Sequence, residues 1–479
     1  MKKVAAFLSS LLMFLMANPL PAQAAETAGG TVEATGVVPP LWMCIPFAGL
    51  LLCIAIFPLV KEAWWERNRQ YAVILWCVLF IVPFAISYGA GTMFETVLEC
   101  IVNDYLGFIV LLFGLYCVAG NIKVEGNLAG SPRVNVMLLA IGTLLSSWLG
   151  TTGASMLLVR PMIKMNSWRK DRKHIMVFFI FLISNIGGCL TPIGDPPLLM
   201  GFSRGVSFFW SMRLLPVLLV NMVILLVVFY FIDQFFYRKE MARGAMPKYD
   251  PEAPLLRIKG AHNLFFIAMI IAAVILSGVL PVTVLKNVPG IHLFGDVVLE
   301  WTSVVEMAII LLAAWLSFKT TDQSIRKQNH FTWSAIQEVA TLFIGIFITM
   351  QPALMILKSA GASLGLEHPF QMFWITGALS SFLDNTPTYL VFLTTAGAMG
   401  FAEGISTTLG IVPVKMLMAI SCGAVFMGAN TYIGNAPNFM VKSISDENGI
   451  RMPSFFGYML WSLCILIPTF IVDTLIFFL

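Results

Sequence analysis

The hydropathy pattern constrains this chain more than any other feature. Apolar runs of roughly 17–25 residues, the length that crosses a bilayer core, recur from residue 41 to residue 479. Hydrophobic residues make up 58% of the sequence and charged residues only 11%, which leaves too little polar surface to solvate several globular domains. An all-α membrane protein follows, because a helix satisfies its backbone polar groups within the segment. Ten crossings are expected, near 41–60, 70–90, 101–120, 174–200 and 211–237 in a first half and 262–281, 301–318, 338–358, 413–442 and 454–479 in a second. Two further apolar segments, 134–165 and 368–400, are too short for two crossings and a turn, which need roughly 40 residues. Each has a polar or Gly/Pro break at its centre and reads as a re-entrant helical hairpin.

The N-terminus reads differently. Lys2 and Lys3 precede the apolar run Val4 to Met16, and Ala22-Gln23-Ala24 offers a small-x-small cleavage pattern. Residues 1–24 are therefore expected to be a signal peptide, and 25–40 a periplasmic tail of a bacterial inner-membrane protein. An uncleaved first transmembrane helix is the alternative. With the mature N-terminus outside, 21 of the 29 basic residues fall on expected cytoplasmic stretches, among them Arg67, Arg69, Lys123, Lys170, Arg238, Lys259, Arg326 and Lys442.

Five crossings make an odd half, so the second half is expected to enter the membrane upside down. The result is two inverted repeats, 41–237 and 262–479, joined by a cytoplasmic linker over 238–261 and each containing one broken helix. The sequence repeats accordingly. Thr191-Pro192-Ile193-Gly194-Asp195-Pro196-Pro197 matches Thr431-Tyr432-Ile433-Gly434-Asn435-Ala436-Pro437, and Ser146-Ser147-Trp148-Leu149-Gly150-Thr151-Thr152-Gly153 matches Ser380-Ser381-Phe382-Leu383-Asp384-Asn385-Thr386-Pro387. The offsets are 240 and 234 residues.

Gly194, Pro196, Pro387, Gly434 and Pro437 interrupt helical hydrogen bonding and free backbone carbonyls and amides. Around these breaks the side chains are rich in oxygen: Thr151, Thr152, Ser155, Asn185, Thr191 and Asp195 in the first half, and Ser380, Ser381, Asp384, Asn385, Thr386, Asn430, Thr431 and Asn435 in the second. Such groups can replace the water shell of a hard cation, Na⁺ or Li⁺. Asp384, at a hairpin tip, is the first candidate for a carboxylate that is paired, protonated or occupied by a cation, and Asp195 is the second. Each has a structural alternative as a cap or turn residue. Glu95, Glu99, Asp104, Glu306 and Glu338 read as interface or path residues, and neither a cofactor nor a resident metal is expected.

These motifs resemble the ion transporter superfamily, and most closely its NhaD-type sodium/proton antiporter branch, which carries a citrate-transporter-like domain. The residues behind the resemblance are Ser184-Asn185-Ile186-Gly187-Gly188-Cys189-Leu190-Thr191-Pro192-Ile193-Gly194-Asp195 and Asp384-Asn385-Thr386-Pro387. It implies ion binding and coupling by Asp195, Asp384 and Asn385, with Ser380 and Thr191 nearby, and a homodimer whose transport subdomain moves. The partners expected are the lipid bilayer and small inorganic ions, with no nucleic acid. The expected function is Na⁺(Li⁺)/H⁺ antiport, with a sodium-coupled di- or tricarboxylate carrier or an arsenite exporter as alternatives. The dicarboxylate branch has Ser-Asn-Thr at both tips. The Gly150-Thr151-Thr152-Gly153 and Asp384-Asn385-Thr386 tips depart from it.

Overall fold

The computed structural model describes residues 38–479 apart from 127, 246–255, 284–289, 330 and 361–363. The expected signal peptide and most of the tail lie outside the described residues.

The first half runs α1 (Ile45–Val60), α2 (Glu62–Tyr88), α3 (Ala90–Glu99), a wider-wound turn over Cys100–Leu106, α4 (Gly107–Gly120), strand β1 (Lys123–Gly126), the hairpin α5 (Pro132–Leu149) and α6 (Thr151–Met165), the broken pair α7 (Lys173–Leu182) and α8 (Pro196–Ser203), and α9 (Leu215–Ala242). After β2 (Leu256–Lys259) the second half runs α10 (Asn263–Thr283), the β3–β4 ribbon (Ile291–Phe294, Val297–Leu299), α11 (Trp301–Thr320), α12 (Gln323–Gln328), α13 (Ser334–Thr349), α14 (Gln351–Ala360), the hairpin α15 (Pro369–Ser380) and α16 (Asn385–Ala398), the β5–β6 ribbon (Ile405–Thr407, Gly410–Val412), the broken pair α17 (Val414–Met427) and α18 (Ala436–Glu447), and α19 (Phe455–Asp473).

Every crossing expected from hydropathy has a continuous, bent or interrupted helix at its position. Among the described residues, eight helical stretches are long and apolar enough to span a bilayer, or nine if α13 and α14, bent by 42°, form one span. Pro352 supplies the bend, since it cannot donate to the preceding turn. The expected crossings at 262–281 and 413–442 appear as the shorter apolar helices Asn263–Gly278 and Val414–Asn430. The first hairpin arm, α5, is itself 18 residues and apolar enough to count as a span. The first half's last helix runs past the expected boundary at 237, to Ala242.

Burial sorts the elements. Of Lys173–Leu190, the first broken segment, 94% is buried, against 17% of Ala63–Tyr88. The interrupted backbone is thus enclosed by protein, where its freed groups find partners. A buried polar knot ties the first hairpin to α7 and α9. Asp233 on α9 accepts from Arg169, from Asn135 of α5 at 3.0 Å, and faces His174 Nε2 of α7 at 2.8 Å. Part of the expected linker is a strand: β2 pairs antiparallel with β1, Lys123 opposite Lys259, and both lysines clamp Glu125 at 2.7 and 2.9 Å.

Candidate functional site

Both helix breaks follow one plan. In the first, α7 ends at Leu182, a tight turn covers Ile186–Leu190, Thr191 is extended, and α8 restarts behind Pro196-Pro197. The fold there requires glycine. A Cβ on Gly194 would lie 2.3 Å from the Gly188 carbonyl oxygen, and one on Gly187 2.4 Å from the Thr143 carbonyl oxygen. In the second, α17 ends at Met427, the turn covers Gly428–Asn430, Thr431 is extended, and α18 restarts at Ala436-Pro437.

A hairpin serine splints each break. Ser147 Oγ donates to the Gly187 carbonyl at 2.5 Å and accepts from Leu190 N at 3.0 Å, and Thr191 Oγ1 donates to the Ser147 carbonyl. Ser381 Oγ shares its hydrogen between the Gly377 carbonyl of its own helix at 2.7 Å and the Met427 carbonyl at 3.1 Å and accepts from Asn430 Nδ2 at 2.9 Å, and Thr431 Oγ1 donates to the Ser381 carbonyl at 2.5 Å. The partners on the broken segments (187 and 427, 190 and 430, 191 and 431) each stand 240 residues apart. Thr191, Thr431 and Asn430 therefore hold the breaks in shape. Ser380 does related work, donating to the Ala424 carbonyl at 2.6 Å.

The hairpin tips meet these breaks at one carboxylate. Gly150 turns the first tip with φ +76°, and Thr151 N donates to the Gly194 carbonyl at 2.8 Å. Thr151 Oγ1 then donates to Asp195 Oδ1 at 2.7 Å, Asn385 Nδ2 of the second tip to Oδ2 at 2.5 Å, and Asn435 Nδ2 of the second break to Oδ1 at 3.2 Å. Asp195 is fully buried, and among the described residues no Lys, Arg or His forms an ion pair with it. A carboxylate so placed rests on neutral donors alone, each worth about 1.5–3 kcal/mol to the ionised form.

Asp384 sits differently. Its Oδ1 accepts from Thr386 N at 3.0 Å, capping α16, and Thr388 Oγ1 donates to its carbonyl at 2.9 Å. It is only half-buried and lines a cavity together with Thr151, Thr152, Asn385 and Asn435. Much of the remaining lining is apolar, including Leu112 and Leu115 of α4 and Ile336, Val339 and Phe343 of α13. Thr386 Oγ1 reaches Asn385 Oδ1 at 3.4 Å. Of the residues singled out in the sequence, Thr151, Asp195, Asn385 and Asn435 thus converge directly, and Thr152 and Asp384 border the same space.

An outer layer extends the cluster. Asn435 Nδ2 also donates to the Ser184 carbonyl at 3.1 Å and to Asn185 Oδ1 at 3.3 Å, and Asn185 Nδ2 donates to Asn438 Oδ1 at 2.7 Å. Asn438 in turn donates to the carbonyls of Gly428 and Thr431, both at 2.9 Å. Asn438 escaped the sequence reading. Its one signal is the spacing from Asn435, three positions on, along one helix face. Two of the peripheral acids are paired elsewhere, Asp104 with Arg204 at 2.5 Å and Glu338 with Arg69 at 3.1 Å.

The chain has no match among curated proteins. Residues 37–478 match the family CitMHS_2, described as "Putative citrate transport". Matched along nearly its whole length, this multi-span helical membrane protein belongs to that transporter family.

Proposed function

We propose that the Asp195 centre exchanges Na⁺ or Li⁺ for protons, and that the protein is a Na⁺(Li⁺)/H⁺ antiporter of the bacterial inner membrane. One observation carries the reading: a fully buried carboxylate collects Thr151, Asn385 and Asn435 from both hairpin tips and the opposite helix break. An ionised Asp195 in that setting is short of positive charge, and either a proton or a small cation supplies it. The two ligands compete for one group, which couples their opposite fluxes. In the arrangement seen, both asparagines turn N–H toward the carboxylate. Rotating each amide would offer Oδ1 instead, giving a cation the carboxylate, two amide oxygens and the Thr151 hydroxyl. Cation entry is from the cavity, where Asp384 is the first carboxylate met. Alternating access by two oppositely oriented halves, with a homodimer as the working unit, completes the proposal.

The family description favours a second reading, sodium-coupled carriage of citrate or a related carboxylate. The cavity lining argues the other way, since among the described residues it contains Asp384 and no Lys, Arg or His to receive an organic anion. Everted vesicles from an antiporter-deficient host discriminate. Energised vesicles should lose their pH gradient on addition of Na⁺ or Li⁺, and Asp195→Asn and Asp384→Ala should abolish the response while inserting normally. Sodium-driven uptake of labelled citrate without that collapse would replace the antiport reading, and arsenite accumulation would point to metalloid export.

A further inference from the structure

A second carboxyl group is buried far along the chain from the Asp195 cluster. Asp473, the last residue of α19, is fully buried against α9, where its sole side-chain hydrogen-bond partner among the described residues is Asn221, also fully buried. Asn221 Nδ2 stands 2.8 Å from each carboxyl oxygen and gives its other hydrogen to the Val217 carbonyl, also at 2.8 Å. The carboxyl group is thus offered one neutral N–H. Asn221 Oδ1, meanwhile, is buried with no hydrogen-bond partner among the described residues. An acceptor left bare beside an acid marks a place where a proton is wanted.

The equivalent position in the first half is filled differently. α9 begins at Leu215 and α19 at Phe455, 240 residues on, and the same offset carries Asp233 onto Asp473. Asp233 has Arg169, His174 and Asn135 around it. Asp473 has no ion-pair partner among the described residues, and the titratable groups in electrostatic reach are the thiols of Cys189 and Cys422. Lys415 on neighbouring α17 points instead at the Leu479 carbonyl, at 3.4 Å. An uncompensated charge at membrane depth is strongly disfavoured, and the matched acids sit in opposite settings, one paired with Arg169 and one with no charged partner among the described residues.

We propose that Asp473 and Asn221 form an exchangeable proton site, separate from the Asp195 centre and occupied by a proton in the conformation described. The site lies where movement would be felt. Immediately after Asp473 the helix widens over Thr474–Phe478, a rare geometry that recurs at functional positions. Thr474 accepts from Trp374 Nε1 of hairpin arm α15 at 3.0 Å, and Phe373 of the same arm packs on Phe478 with ring centres 4.6 Å apart. Displacing the hairpin therefore alters the surroundings of Asp473. The inference does not depend on which ion Asp195 handles.

Infrared spectroscopy of the full chain in lipid nanodiscs tests it. At neutral pH a carboxylic-acid carbonyl band should be present that shifts in D₂O, fades as pH is raised, disappears in Asp473→Asn and persists in Asp195→Asn. Should Asp473→Asn fail to fold, Asn221→Leu provides the second probe, because removing the N–H must shift the same band. Identical spectra for wild type and Asp473→Asn, no displacement in Asn221→Leu, or a band indifferent to both D₂O and alkaline pH would each overturn the proposal.

Discussion

The buried knot at Asp233 makes a quantitative demand on the fold. Replacing Arg169 by Met removes the guanidinium while keeping much of its apolar stem. Arg169 and Asp233 are 2% and 0% exposed, and breaking such a pair costs about 3–5 kcal/mol because one charge is stranded. Asp233 keeps Asn135 at 3.0 Å and His174 at 2.8 Å, which pulls the electrostatic loss toward the lower end. Arg169 also lies over the Trp168 and Tyr237 rings at 5.2 and 5.1 Å, contacts worth about 0.5–2 kcal/mol each. Taken at the low end of each range, the total comes to at least about 4 kcal/mol. Asp233→Asn in the Arg169→Met background removes the stranded charge and should recover about 2 kcal/mol, roughly half the loss. Equilibrium unfolding of the four proteins of this cycle, in mixed detergent micelles, measures both quantities. An Arg169→Met loss below about 1 kcal/mol, or no recovery in the double variant, would falsify the assignment of Asp233 as a charge held by Arg169.

Three further outcomes are expected. Gly194→Ala should fail to give monodisperse protein, since its Cβ would lie 2.3 Å from the backbone oxygen of Gly188 and 2.9 Å from Ser147 Cα; size-exclusion chromatography reports this. Thr151→Val, which loses the donor to Asp195 Oδ1 while keeping its shape, should raise the half-saturating cation concentration about 10- to 150-fold, matching loss of about 1.5–3 kcal/mol, and Thr151→Ser should restore it. At the β1–β2 junction, Lys123 and Lys259 hold Glu125 down to about 2. Its contribution is then complete above the ordinary glutamate range and is lost progressively as pH falls from that range through about 2. Hydrogen exchange of Lys123–Gly126, corrected for intrinsic rate, should accordingly be flat from pH 5 to 8 in wild type, and faster throughout in Glu125→Gln.

How far the architecture could be read in advance depended on what left a mark in one dimension. Glycine and proline inside apolar runs did: Gly194 with Pro196-Pro197 and Gly434 with Pro437 announced the breaks, whereas segment length was a weaker guide, since α5 alone is long and apolar enough to span. The division of labour between the two leading acids did not. Asp195 and Asp384 each adjoin a break, and only the packing of four distant segments assigns the donors to Asp195 and the helix cap to Asp384. Ser147 and Ser381 were visible as members of a repeated motif, yet their splinting role rests on contacts 40 to 50 residues away in the chain. Asp473 did leave a trace, a lone acid in the final apolar run, but its neutral setting emerges only when Asn221, 252 positions earlier, is brought alongside.

The paired breaks provide two equivalent posts, and the chain fills them unequally, with an acid at 195 and its amide counterpart at 435. The matched positions therefore hold one titratable carboxyl group between them. Aspartates at both would face each other across a hydrogen bond's length, and the second would ionise only with a compensating cation. Unequal filling of duplicated positions is thus a way to set charge bookkeeping at the centre by one atom, nitrogen for oxygen, without altering the frame that holds it.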